Sequence, residues 1–154
     1  MPHYGLIDET KMTEVEAALM RARLHLRGRK RRLQKGSSAA GIAALYDSVL
    51  FGMRYYIARH KHCALFVEST DLWDAAGLFH ALTRAGVFDD SLTFNRFSLL
   101  VERALWQGSF SFDADATLAE VETMLTKLGV VPFDESALPR KLQNALDNQV
   151  MERR

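Results

Sequence analysis

The residues able to do chemistry in this sequence form a few small groups. His60-Lys61-His62-Cys63 sets two imidazoles and a thiol within four positions, the side-chain types used for metal ligation or proton transfer. On a continuing helix His60 and His62 point to different faces. A zinc site also needs ligands that no second cysteine or close histidine pair supplies, so no metal is expected. The group reads as a helix end, where Arg59, Lys61 and the histidines oppose the negative end of the dipole. Tyr46, Tyr55 and Tyr56 with Arg54 and Arg59 offer rings and cations able to stack on a base. Tyr46 and Tyr56 fall in an apolar stripe and are expected to be buried. Tyr55 and Arg59, four apart and off that stripe, are expected to share an exposed face as a binding pair. Asp113 and Asp115 could be paired carboxylates, but Asp115 and Thr117 also suit helix capping, which is the preferred reading. His25 and His80 read as boundary or surface residues. There is no P-loop, GxSxG or HExxH string, and no cofactor is expected.

The largest group is RARLHLRGRKRRLQK, positions 21–35, with eight Lys or Arg and no acid. Fifteen helical residues rise about 22 Å, so these charges make a concentrated strip able to meet several phosphates or an acidic protein. Arg21, Arg23, Arg27, Lys30, Arg31 and Arg32 are the candidate contacts. Ala22 and Leu26 belong to an apolar seam, which puts most of the cations on the opposite, solvated side. Arg29 falls on the seam, so either the helix ends near Gly28 or this side chain snorkels outward.

These groups sit on a chain built for helices. At 154 residues with 48% hydrophobic and 25% charged residues, it has the profile of one globular domain. The net charge of +1 conceals the basic strip, because the rest of the chain has 12 basic residues against 19 acidic. The lone Cys63 cannot form an internal disulfide, the first residues lack a secretory pattern, and no apolar run approaches the ~20 residues of a membrane span. A cytoplasmic protein without membrane contact is expected.

Met12, Val15, Leu19, Ala22, Leu26 and Leu33 repeat at helical spacing, with a Thr13–Glu16 capping box or Thr10 as the start and Gly36 as the stop. A second helix is expected from Ser38 to His60 on a broad stripe from Ile42 to Ile57, central in the bundle. The apolar piece in HKHCALFVEST is ambiguous. A third helix starts near Thr70 or Asp71, buries Leu72, Ala75, Phe79 and Leu82, and closes at Gly86. A fourth follows the caps Asp89, Asp90 or Ser91 and buries Phe94, Phe97, Val101 and Leu105. GSFSFDAD reads as a loop. A fifth opens on the Thr117–Glu120 box, buries Leu118, Val121, Leu125 and Leu128, and ends at Gly129 and Pro132. A last one starts near Pro139 with Leu142, Leu146 and Val150. The expectation is an all-α, up-and-down bundle of four to six helices over residues 1–154, with 1–9 as a tail and an additional C-terminal helix in 133–154.

AALYDSVLFGMRYYI, LFHALTRAGVFDDSLTFNRFSLLVERAL and DADATLAEVETMLTKLGV, together spanning 39–130, resemble the HEPN family of small helical bundles, which includes partners of minimal nucleotidyltransferases. The resemblance implies a HEPN-like fold and a nucleotidyltransferase-type partner, as in toxin–antitoxin-like pairs, or a homodimer. It also implies possible action on RNA, since many members are metal-independent ribonucleases. Their signature is Arg, four to six residues, then His on a late helix. Arg103 matches the Arg, but Gly108, Ser109 and Phe110 stand where the His belongs. The same spacing occurs between Arg54 and His60 on the second helix, which leaves a ribonuclease with a displaced pair as the alternative. A non-catalytic binding module, reaching RNA or nucleotide through its basic first helix, is the expectation.

Overall fold

The computed structural model describes residues 9–34, 38–89, 92–107 and 111–139. Six α-helices and three short 3-10 turns account for the regular structure, with no strand among the described residues. The helices are α1 (Glu14–Gln34), α2 (Ser38–Arg59), α3 (Ala64–Val67), α4 (Ala75–Arg84), α5 (Leu92–Gln107) and α6 (Ala114–Lys127). No helix among the described residues is long and apolar enough to cross a membrane.

α1 and α2 form an antiparallel pair along nearly their whole length, and α2 also meets α4, α5 and α6, so it is the central helix. Ile42, Leu45, Val49 and Met53 of α2 are all but inaccessible to solvent. The two helices come close enough for the buried Ser48 hydroxyl to donate to the Ala22 carbonyl at 2.7 Å. Gly52 brings α6 equally near: a Cβ there would lie 3.2 Å from Leu125, Leu128 and Val130.

Several helix ends follow from single residues. Thr13 Oγ1 accepts the Glu16 N–H at 3.1 Å, so Thr13 rather than Thr10 starts α1. Gly86 (φ 83°) and Gly129 (φ 79°) close α4 and α6 in the left-handed conformation that glycine adopts without a Cβ penalty. At each end two backbone bonds satisfy the last carbonyls: Gly86 to Thr83 and Val87 to Leu82, then Gly129 to Thr126 and Val130 to Leu125.

Other expectations need correction. α4 begins at Ala75, not near Thr70: Asp71 accepts the Trp73 N–H in a local turn, and Asp74 caps the helix through the Gly77 N–H at 3.0 Å. Leu72 therefore precedes α4 and is exposed. α6 begins at Ala114 under an Asp113 cap, one turn before the expected Thr117 cap, while Thr117 donates back to the Asp113 carbonyl. The ambiguous apolar piece is the one-turn α3. Leu105 is 79% exposed, because Phe94, Phe97 and Ala104 keep the inward face of α5 and Leu105 is rotated by one residue from Ala104. Gly36, Asp90, Ser91 and the helix expected after Pro139 lie outside the described residues.

α1 runs unbroken through Gly28, and Arg29 does not snorkel. Its side chain is only 11% exposed, and its Nη2 lies 3.9 Å from Glu122. The buried Nε has no hydrogen-bond partner. Such a loose pair recovers little of the cost of desolvating a guanidinium. Arg29→Met, which keeps the stem and removes that cost, is expected to stabilise the protein by about 1 kcal/mol in urea unfolding. A loss of stability would show that the Glu122 pair is worth more than its length implies.

Candidate functional site

The basic strip is not a free face. Leu24, His25 and Leu26 are all buried, so more than a narrow seam of α1 is covered, and Arg21, Arg23, Arg27 and Arg32 are each only partly exposed. Arg23 Nε donates to the Val130 carbonyl at 3.0 Å, and its guanidinium lies 5.1 Å from the Phe133 ring centre. It works as a clamp that fastens the chain leaving α6 onto α1. Arg32 folds back along Gly28, where a Cβ would meet its Nη1 at 3.1 Å. The Lys30 and Arg31 side chains lie outside the described residues, although both positions belong to α1.

His25 is buried rather than at the boundary. It stacks parallel on Phe51, with centroids 5.7 Å apart, and its Nδ1 is 3.9 Å from Asp47 Oδ2. Burial pushes the Asp47 carboxyl above the usual aspartate range, and the Arg32 charge pulls in the opposite direction. His80 is exposed, as expected. Tyr46 and Tyr56 are half-buried against the core.

Tyr55 and Arg59 do not share an exposed face. Tyr55 is buried, and Arg59 covers it by donating from Nη1 to the phenol oxygen at 2.6 Å. Four residues on at the end of α2, the Arg59 guanidinium lies 6.0 Å from the Tyr55 ring centre. A Cβ added at Gly129 would lie 3.8 Å from that ring.

Arg54 and His60 occupy separate surroundings. Six helical positions separate them by roughly 9 Å along the axis and about 120° around it. His60 lies just past α2, with φ −113° and ψ 90°. Its ring stacks on Tyr56 at 3.9 Å, and Nδ1 is 3.0 Å from the Tyr56 carbonyl. The edge of His62 meets it at 5.8 Å, and His62 Nε2 is 3.6 Å from the sulfur of Cys63. Burial raises the Cys63 thiol above its usual range, which disfavours a thiolate. No group of three potential metal ligands occurs among the described residues. Asp113 caps α6, whereas Asp115, expected as a cap, is exposed in its first turn.

Arg54 opens instead into a cleft of about 430 Å³ between the start of α1, the middle of α2 and the turn before α4. Its guanidinium lies 4.6 Å from the Trp73 ring centre and 5.3 Å from that of Phe51. The two rings meet edge to face at 5.9 Å. Arg21 approaches the same Phe51 ring at 5.4 Å, while Glu14 and Met12 line the rim. Sequence spacing gives only the Phe51–Arg54 half of this cleft. Met12, Glu14 and Trp73 join it through tertiary packing, which no local pattern encodes.

A second exposed feature lies on α5. Leu99, Leu105 and Trp106 are 65%, 79% and 84% exposed. Leu99 and Trp106, seven apart, share one outward stripe, with Glu102 and Arg103 beside them. Arg103 donates from Nε to Gln107 Oε1 at 3.1 Å. Comparison with known proteins returns no match of the chain to a family model, a curated protein or a solved structure.

Proposed function

We propose that the chain is a non-catalytic, HEPN-like binding module that works through protein contact, with a nucleotidyltransferase-type protein or a second copy of itself. The observation that carries this reading is the outward face of α5. A tryptophan 84% exposed, one helical repeat from a leucine 65% exposed, forms an apolar ridge on a helix whose opposite side fills the core. Trp is prominent among residues that dominate binding energy at protein interfaces. The surroundings of Arg54 and His60 favour binding over cleavage, since a ribonuclease pair must converge on one scissile phosphate.

Sedimentation velocity over a range of concentrations tests the second copy directly. The 17.4 kDa chain is expected to self-associate reversibly. Trp106→Glu, which buries a charge in any such contact, is expected to weaken association by roughly tenfold or more with the melting temperature unchanged. Association that is indifferent to Trp106→Glu removes α5 as the contact. RNA cleavage by the purified protein, abolished by Arg54→Ala or His60→Ala at unchanged stability, would overturn the non-catalytic reading in favour of the displaced pair.

A further inference from the structure

We propose that the cavity lined by Arg29 is a binding site for a free α-amino acid with an apolar side chain. It lies between α1, α6 and the segment that leaves α6, and its volume of about 360 Å³ falls within the range of small-molecule sites. This goes beyond the protein-contact reading, which rests on α5. Arg29 carries the inference. Its side chain is only 11% exposed, yet it makes no hydrogen bond with any described residue. Even the Glu122 contact, at 3.9 Å, is too long for one.

Buried polar groups are ordinarily hydrogen-bonded, so a covered guanidinium without an acceptor, set in the wall of a cavity, marks a place where an acceptor binds. A carboxylate fits it best, because its two oxygens match the parallel N–H donors along a guanidinium edge. The same guanidinium costs stability while its donors go unmet, and a ligand carboxylate removes that cost.

The charges around Arg29 narrow the class. Glu122 and Glu135 line the same cavity, and both repel an inorganic anion or a simple carboxylic acid. They favour a ligand that carries a positive group next to its negative one, as the ammonium of an α-amino acid stands beside its carboxylate. Glu122, whose side chain is 49% exposed, is held only loosely by Arg29 and can turn toward that ammonium. Leu26, Val131 and Phe133 supply an apolar wall for the ligand side chain. Arg23 fixes that wall by its bond to the Val130 carbonyl and its packing on the Phe133 ring.

Calorimetry on the full chain with leucine, phenylalanine, glycine, leucinamide and N-acetylleucine tests the proposal. Saturable one-to-one binding is expected for leucine and phenylalanine. Glycine lacks the apolar side chain, leucinamide the carboxylate and N-acetylleucine the ammonium, and each is expected to bind roughly tenfold or more weaker. Arg29→Met is expected to weaken leucine by roughly tenfold or more although the protein becomes no less stable, a combination that a merely structural arginine would not give. Glu122→Gln, at an exposed position, is expected to weaken leucine while leaving N-acetylleucine no weaker, and it carries the test should Arg29→Met fail to fold. N-acetylleucine binding as tightly as leucine overturns the site in favour of one for the carboxyl terminus of a peptide chain. So does leucine binding that is indifferent to both substitutions, or no saturation by any amino acid at millimolar concentration. Sedimentation of the same samples shows separately whether α5 association survives, so either proposal can fail alone.

Discussion

Phe79→Ala is expected to cost about 3–5 kcal/mol in urea unfolding, the largest loss from any single truncation considered for this protein. Phe79 on α4 is 1% exposed. Its ring stacks on Phe88 at 4.5 Å and on Phe94 of α5 at 4.6 Å. Removing it takes a buried ring from water-excluded packing and leaves a space bordered by two others. Those neighbours cannot simply collapse: Phe88 lies beyond the closed end of α4, and Phe94 is anchored in the first turns of α5. A domain of this size has only about 5–15 kcal/mol of net stability, so the loss consumes a large part of it. Pairing Phe79→Ala with Phe94→Ala in a double-mutant cycle is expected to show coupling of about 0.5–1.5 kcal/mol from the ring contact. A loss for Phe79→Ala below about 1.5 kcal/mol would mean that the void is refilled and the three rings are not a rigid unit.

That cluster was legible in the sequence only in part. Phe79, Phe94 and Phe97 fall on helical repeats and are placed inside by pattern alone. The pattern also recovers the Thr13 start of α1 and both glycine stops, because caps and left-handed turns depend on a few adjacent residues. It misplaces the start of α4, since Asp71 and Asp74 both accept backbone N–H groups and only the second opens a helix. It misreads the basic strip for a different reason. A seam counted from Ala22 and Leu26 assumes one neighbour, whereas α1 is covered by α2 and also by the chain after Gly129. Thus His25 goes inside, Arg23 becomes a clamp and Arg29 is almost fully covered. The Tyr55–Arg59 spacing is right, yet the exposure of Tyr55 is wrong, because its ring is buried with Gly129, just past α6, beside it. The cleft was the least legible feature. Spacing to His60 singles out Arg54 in the sequence, but its surroundings come from Met12 and Trp73, distant in sequence on either side.

Gly52→Val is expected to destabilise the fold by about 3 kcal/mol, whereas Gly52→Ala is expected to stay within about 1 kcal/mol of the parent. The difference follows from what surrounds position 52. A Cβ there would lie 3.2 Å from Leu125 Cδ2, Leu128 Cδ1 and Val130 Cγ2, so each neighbour must give by a few tenths of an ångström. These are side-chain ends, which can shift slightly, and alanine's helix propensity gains about 1 kcal/mol over glycine. Valine adds two methyl groups to a space already full, against residues that are themselves essentially inaccessible. The strain can be relieved only by moving α6 and its exit away from α2. Because Arg23 fastens that exit through the Val130 carbonyl, the movement should also loosen the clamp on α1. Hydrogen exchange at residues around Val130 is therefore expected to rise in Gly52→Val and to remain near the parent's in Gly52→Ala. Equal losses for the two substitutions would place the constraint in the backbone of α2 rather than in its contact with α6.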